Sequence, residues 1–214
     1  MDRRQHWDAV YTTKAEEQVS WFEPAPEVSL RLIEEAGLSS ESRVIDIGGG
    51  ESRLVDALVA RGVRGVTVLD VSQAALDRVR ARLGAAAARV TWIVADVTGP
   101  WVAAPVDVWH DRAVFHFLTD PEERIRYAEH LTRILKVGGT AIIATFAPDG
   151  PERCSGLPVA RYSPDALADE LGSSFTLVQS EAHSHRTPSG ALQAFQYSRF
   201  LHRPSTISRT GAAS

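Results

Sequence analysis

The sequence predicts an α/β fold, a mostly parallel sheet with helices on both faces, and three observations carry that prediction. Between Arg43 and Gly139 short β-branched runs alternate with longer amphipathic stretches, the pattern of strands joined by crossover helices. Several of the runs are too apolar for a strand with one face in water, and so belong inside a sheet covered on both faces. A cluster of glycines at 48–50 follows the first run, where a strand must turn sharply into a helix.

Five strands are read at 43–47 (RVIDI), 66–70 (VTVLD), 90–94 (VTWIV), 106–111 (VDVWHD) and 139–146 (GTAIIATF). Helices fill the gaps near 51–61, 73–83 and 121–135. In the first, Leu54, Val55, Leu58 and Val59 recur at helical spacing; in the last, Ile125, Ala128, Leu131 and Leu135 do. Thr119-Asp120-Pro121-Glu122 supplies a cap with proline at a first-turn position, and Gly138-Gly139 is expected to stop that helix and open the next strand. After Phe146 a Pro/Gly-rich connection leads to a short helix near 163–171. Two last strands, near 174–181 and 192–201, flank a turn at 187–190, so a hairpin closes the sheet with antiparallel pairing and brings the count to seven. Residues 1–40 read as helical cover, with Val28, Leu30, Leu32 and Ile33 forming an apolar face. Residues 1–203 are expected to make one domain and 204–214 a disordered tail.

With 214 residues, 44% of them hydrophobic and 23% charged, the chain can bury a core without disulfides or a structural metal. Its single cysteine, Cys154, has no intrachain partner, which suits a reducing compartment and makes the cytoplasm the expected location. The opening residues lack the apolar core of a secretory signal, and no stretch reaches the roughly 18 apolar residues that span a bilayer. A formal charge of −4 gives no general attraction to a phosphate backbone, so nucleic acid is a disfavoured partner.

The segment RVIDIGGGES says most about function. Three consecutive glycines cost backbone entropy, and are best explained by left-handed backbone or by a ligand lying against main-chain atoms at the carboxyl edge of the sheet. A dinucleotide fingerprint would place another glycine at position 53, where the chain has Arg53, so a nicotinamide cofactor is the weaker alternative. The second strand ends in Asp70, whose carboxylate can accept two hydrogen bonds from ribose hydroxyls, with Val71 beside it. The third ends near Asp96, where the side chain and the Val97 amide can read an adenine edge.

In this order and spacing, VIDIGGGES, VTVLDVS, VADVT and WHDRAVFHFL resemble the motifs of class I S-adenosylmethionine-dependent methyltransferases over about residues 40–147. The resemblance implies a Rossmann-like sheet of seven strands with the last antiparallel, and S-adenosyl-L-methionine as cofactor. It implies Gly48, Gly49 and Gly50 under the methionine moiety, Asp46 orienting that turn, Asp70 on the ribose and Asp96 beside adenine. Ser52 stands where the family's turn usually ends in glycine. The N-terminal HWDAVYTTK and SWFE are similar to the opening of a methyltransferase-like subgroup, which implies that Trp7, Tyr11, Ser20 and Trp21 form a lid over the methionine end of the cofactor. Core anchoring by the two large tryptophan rings is the equal alternative.

Methyl transfer from a sulfonium is an in-line displacement that needs positioning and exclusion of water more than a fixed set of catalytic groups. Asp111 at the end of the fourth strand is expected to hold the cofactor's ammonium, and His116 to face the acceptor as a base. Trp7, Tyr11, Arg112, Cys154, Arg161 and His183 are the expected acceptor pocket. Cys154 with His183 and His185 lacks paired metal-ligand spacing, so no metal is expected. The leading reading is transfer to a small molecule. A protein lysine acceptor and a non-catalytic nucleotide-binding scaffold are the alternatives.

Overall fold

The structure, a computed structural model, describes residues 2–204. All but the first residue of the expected tail lies outside them. The chain opens with helix α1 (Arg3–Thr13), whose start is capped by Asp2 accepting from the Arg4 amide at 3.0 Å, and a second helix, α2 (Glu27–Glu35). Then come β1 (Arg43–Ile47), α3 (Leu54–Ala60), β2 (Gly65–Asp70), α4 (Gln73–Leu83), β3 (Val90–Val94) and β4 (Val106–Arg112). The second half holds α5 (Pro121–Ile134), β5 (Leu135–Phe146), a small hairpin of β6 (Arg153–Cys154) and β7 (Leu157–Pro158), α6 (Pro164–Leu171), β8 (Phe175–Arg186) and β9 (Leu192–His202).

Seven strands form one sheet in the order β3-β2-β1-β4-β5-β9-β8. The first five are parallel, and β9 alone runs against its neighbours, inserted between β5 and the edge strand β8. Chain direction across the sheet reverses at β1, which pairs with β2 on one side and β4 on the other. A crevice therefore opens at the carboxyl ends of β1 and β4, the place where open α/β sheets bind ligands.

Alternating side chains feed two cores, one on each face. Val44, Val66, Val68, Val108, Ile142 and Ala144 face α2, α3 and α4, while Ile45, Ile47, Leu69, Trp109, Ala141 and Ile143 face α5 and α6. The β1 side chains Val44, Ile45 and Ile47 are at most 1% exposed, and each such burial contributes roughly 1.5–3 kcal/mol. That anchors the strand delivering the glycine turn. In α2, Leu30, Leu32 and Ile33 are buried in the first core, so the second half of the expected helical cover is core structure and only α1 with the segment after it lies over the crevice.

Three expectations shift in detail. Helix α3 starts at Leu54 rather than at 51, because residues 51–53 continue the turn and the Ser52 hydroxyl accepts from the Leu54 amide at 3.0 Å. The inward stripe of α5 is Tyr127, Leu131 and Ile134, while Ile125 is 58% exposed, because the Tyr127 hydroxyl is fixed beneath the sheet by Trp109 and Asp111. Strand β5 begins at Leu135, directly after α5, and its ladder with β4 slips between Val106 and Val108 to absorb the Gly138-Gly139 stretch. Among the described residues no helix is long and apolar enough to cross a membrane.

Candidate active site

The turn after β1 is built for close approach. Gly48 and Gly50 have φ of +62° and +43°, backbone that L side chains rarely adopt. A Cβ would meet Val114 Cγ2 at 2.0 Å from Gly48, Val68 Cγ1 at 2.5 Å and Asp46 Oδ2 at 2.9 Å from Gly49, and the Tyr11 hydroxyl at 2.4 Å from Gly50. The three glycines are thus enclosed by β2, by the loop after β4 and by α1.

Above this turn a cleft of about 700 Å³ runs along the carboxyl edge. One end is acidic. Asp70 is 5% exposed and accepts from the Ser72 amide at 2.8 Å and from the Gly50 amide. Burial outweighs these donors and pushes its pKa up to about 7. Asp96 is only half-buried, and the Thr98 amide and hydroxyl and the Arg3 guanidinium overcome that burial and hold it below the ordinary carboxylate range. Val71 and Val97 line the cleft between them.

The other end is aromatic. The Trp7 ring stands edge-on to Trp21 (centroids 5.6 Å, 79°) and to Phe117 (5.2 Å, 78°), and Tyr11 packs against both tryptophans. Arg112 and the buried Cys154 complete this end. Arg112 donates from each of its three nitrogens, to Tyr197 Oη at 3.1 Å, to the Trp21 carbonyl at 3.0 Å and to Glu23 at 2.8 Å, with its guanidinium 4.9 Å from the Phe195 ring centre. Burial pushes the Cys154 thiol up to about 11, so it is neutral.

Helix α1 is clasped across the cleft at its start and at its middle. Arg3 bridges Asp96 at 2.7 Å and Glu123 at 2.8 Å, and the Ser72 hydroxyl donates to Asp8 at 2.5 Å. A second recess of about 560 Å³ adjoins the glycine turn from the side of residues 16–26. There Asp46 Oδ1 bonds His110 Nδ1 at 2.7 Å, whose Nε2 meets the Ser29 hydroxyl at 2.8 Å. Asp46 Oδ2 and Glu51 Oε2, both buried and both on residues lining this recess, have no hydrogen-bond partner. Two orphaned carboxylate oxygens beside the glycines fit a ligand bearing an ammonium group.

The structure brings together Asp46, Gly48, Gly49, Gly50, Asp70, Val71, Asp96, Val97, Trp7, Tyr11, Trp21, Arg112 and Cys154 around these two spaces. Four expected residues lie elsewhere. Asp111 is wholly buried on the opposite face of the sheet, where its carboxylate accepts from the Val114 and Phe115 amides and from Tyr127 Oη at 2.8 Å; it shapes the loop after β4 and faces no ammonium. His116 is also wholly buried, wedged against Phe117 and Phe146, with Nδ1 accepting from the Phe146 amide at 3.3 Å. Arg161 is turned away to the Gly150 carbonyl and Glu152. His183 lies beside Tyr197 on β8, outside both linings, while its neighbour His185 holds the Ser20 carbonyl at 2.8 Å. Among the described residues no group of three His, Cys, Asp or Glu side chains is placed to hold a metal ion.

Burial drives the His116 pKa down to about 3, so its imidazole is neutral at working pH yet closed off from the cleft. His116→Ala is expected to cost on the order of 2–4 kcal/mol through the cavity it leaves. The folded imidazole stays neutral while the unfolded one protonates near 6.5, so its contribution is present at neutral pH and is lost as pH falls from about 6.5 toward 3. Denaturant titrations of both proteins at pH 7.5 and 5 check this. Unchanged stability with lost turnover would restore the base assignment.

Sequence reasoning missed Arg3, Asp8, Val114 and the Ser29-His110-Asp46 chain. Arg3 sits in a charged, aperiodic opening with no signal, and Ser29 and His110 meet across 81 positions of sequence. Phe117, which closes the aromatic corner, is next to the His116 that drew attention instead.

Residues 44–139 match the family model described as a methyltransferase domain. Over 132 residues the chain is 28% identical to the malonyl-[acyl-carrier protein] O-methyltransferase of Paenibacillus sp. (strain JDR-2); the match covers 58% of this chain and 47% of that protein, so the chain spans about half the length of this curated relative. Its fold matches a solved structure concerned with conversion of a disulfide bond into a thioacetal group during echinomycin biosynthesis, with a TM-score of 0.72 at 23% identity over 96% of this chain and 94% of that one. It also matches the 1,6-didemethyltoxoflavin-N1-methyltransferase of Burkholderia thailandensis, solved with 1,6-didemethyltoxoflavin and S-adenosylhomocysteine, with a TM-score of 0.66 at 20% identity over 94% and 84%. Over residues 44–139 the chain is thus similar to a methyltransferase domain, and its fold is that of solved methyltransferases, one of which holds S-adenosylhomocysteine.

Proposed function

We propose that the chain transfers the methyl group of S-adenosylmethionine to a small-molecule acceptor. The observation that carries this reading is a glycine cradle with orphaned carboxylate oxygens beside it, opening into a cleft that has a ribose-ready carboxylate at one end and an aromatic corner at the other.

Bound S-adenosylmethionine supplies a methyl carbon made electrophilic by its sulfonium. The chain's part is to hold and orient. Gly48, Gly49 and Gly50 leave room for the methionine moiety against the backbone, and Asp46 Oδ2 with Glu51 Oε2 receives the ammonium that both oxygens lack. Asp70 would accept hydrogen bonds from the two ribose hydroxyls, and Asp96, Val97 and Val71, which line the cleft beside it, would hold the adenine. Trp21, Trp7 and Tyr11 close over the reacting end and exclude water. Helix α1, tied down by Arg3 and Asp8, covers part of the cleft and narrows it, which favours a small acceptor over a protein lysine.

Calorimetric titration with S-adenosylmethionine, S-adenosylhomocysteine and nicotinamide adenine dinucleotide tests the cofactor reading. Micromolar binding of the first two and none of the third is expected. Binding of the dinucleotide alone would overturn it, and cofactor binding without transfer to any member of an acceptor panel would favour the scaffold alternative.

A further inference from the structure

We propose that the acceptor atom is a neutral nitrogen of a flat heteroaromatic ring, seated in the corner of Trp7, Trp21 and Phe117 and methylated without removal of a proton. The inference rests on the methyl-transfer reading above and names the acceptor class for that site.

The corner has the shape for a flat ring. Trp21 and Phe117 each stand nearly perpendicular to Trp7, at 79° and 78°, so the walls present faces and edges at right angles in place of a channel for a flexible chain. Its electrostatics do not favour an anion. Arg112, the cation at this end, already donates from each of its three nitrogens, to Glu23, Tyr197 and the Trp21 carbonyl, and its charge is paired with the Glu23 carboxylate.

Among the described residues lining the cleft, no group at this end can take a proton from a hydroxyl. His116 is sealed behind Phe117, and the Cys154 thiol and Tyr11 phenol are protonated acids. Asp96 is bound to Arg3, and Asp70, beside Gly50 and the Tyr11 hydroxyl, is taken up by the ribose on the reading above. An alcohol, phenol or alkylammonium would need such a base at physiological pH. A ring nitrogen does not, because its lone pair lies in the ring plane and is already free.

The charge balance also favours nitrogen. The lone pair forms the new N–C bond as the C–S bond breaks, and the bonding pair stays on sulfur, which leaves as the neutral thioether of S-adenosylhomocysteine. The positive charge moves from sulfur to the ring, and no proton is transferred. A delocalised cation growing between aromatic walls is stabilised throughout the step, as cations over ring faces are.

The test uses three bicyclic probes of matched size: isoquinoline, 2-naphthol and 2-naphthoate. Binding to the full chain saturated with S-adenosylhomocysteine is followed by quenching of tryptophan emission and by calorimetry, and turnover is followed with methyl-labelled S-adenosylmethionine. Isoquinoline is expected to bind at least tenfold more tightly than 2-naphthoate and to yield N-methylisoquinolinium. Its kcat/KM at saturating S-adenosylmethionine should be flat from pH 7 to 9. Preferential methylation of 2-naphthol, with a rate that rises through that range, or tighter binding of 2-naphthoate, would overturn the proposal. So would failure of isoquinoline to bind while S-adenosylhomocysteine does. Failure of S-adenosylhomocysteine itself to bind would instead strike the cofactor reading on which the proposal rests.

Discussion

Gly48→Ala should raise the dissociation constant for S-adenosylmethionine at least about 30-fold, equivalent to about 2 kcal/mol, and lower the stability of the protein as well. Two separate costs act at this one position. At φ +62° an L residue strains its own Cβ by roughly 1–2 kcal/mol. The added methyl also falls 2.0 Å from Val114 Cγ2, and Val114 lines the cleft, so either the loop after β4 shifts or valine turns into ligand space. The two costs are separable. Val114→Ala in the same chain removes the clash and should restore part of the stability, while affinity stays low because the methyl still faces the ligand. A double-mutant cycle in stability and a second in affinity measure this directly. Wild-type affinity in Gly48→Ala would mean that nothing lies against the turn.

Why Gly48 was legible from sequence while Arg3 was not is a matter of what leaves a local trace. Three glycines after RVIDI require a special backbone, and that requirement is local, so the turn, the strand before it and the acidic end of β2 could all be read from adjacent residues. The alternation of Val44, Ile45 and Ile47 between two cores is likewise visible as an unbroken apolar run. Side-chain direction at strand ends is a different case. Asp111 and His110 are neighbours on β4 and point to opposite faces, so a shift of one residue in register decides which reaches the glycine turn; the structure gives that place to His110, through Asp46, and sends Asp111 to Tyr127. His116 and Phe117 repeat the lesson in a single turn of 3₁₀ helix, where one residue is core and the next is wall. The order β5-β9-β8 was half legible: hairpin punctuation announced two antiparallel strands, but which of them inserts beside β5 depends on packing across the sheet.

Asp70→Asn should trade cofactor affinity for stability. With a pKa raised to about 7 by burial, the wild-type carboxyl is largely protonated at pH 6 and largely ionised at pH 8. Only the ionised form keeps all its lone pairs for two ribose hydroxyls, and charge-assisted bonds are worth about 1.5–3 kcal/mol each. The wild-type dissociation constant is therefore expected to rise as pH falls from 8 to 6. The asparagine variant should bind at least tenfold more weakly at pH 8, with little pH dependence of its own. Stability moves the other way. A carboxyl whose folded pKa lies above its unfolded 3.8 contributes stability that is full below about pH 4 and is lost as pH rises through 7, so the cofactor-free protein holds an unfavourable buried charge at pH 8. Removing that charge should stabilise the cofactor-free variant on the order of 2–4 kcal/mol at pH 8, with the difference closing toward pH 5. Thermal melts at the two pH values, with and without S-adenosylmethionine, read both effects at once. A variant less stable than wild type at pH 8 without cofactor, or one that binds S-adenosylmethionine as tightly, would show that Asp70 is not a strained carboxylate held ready for a ribose.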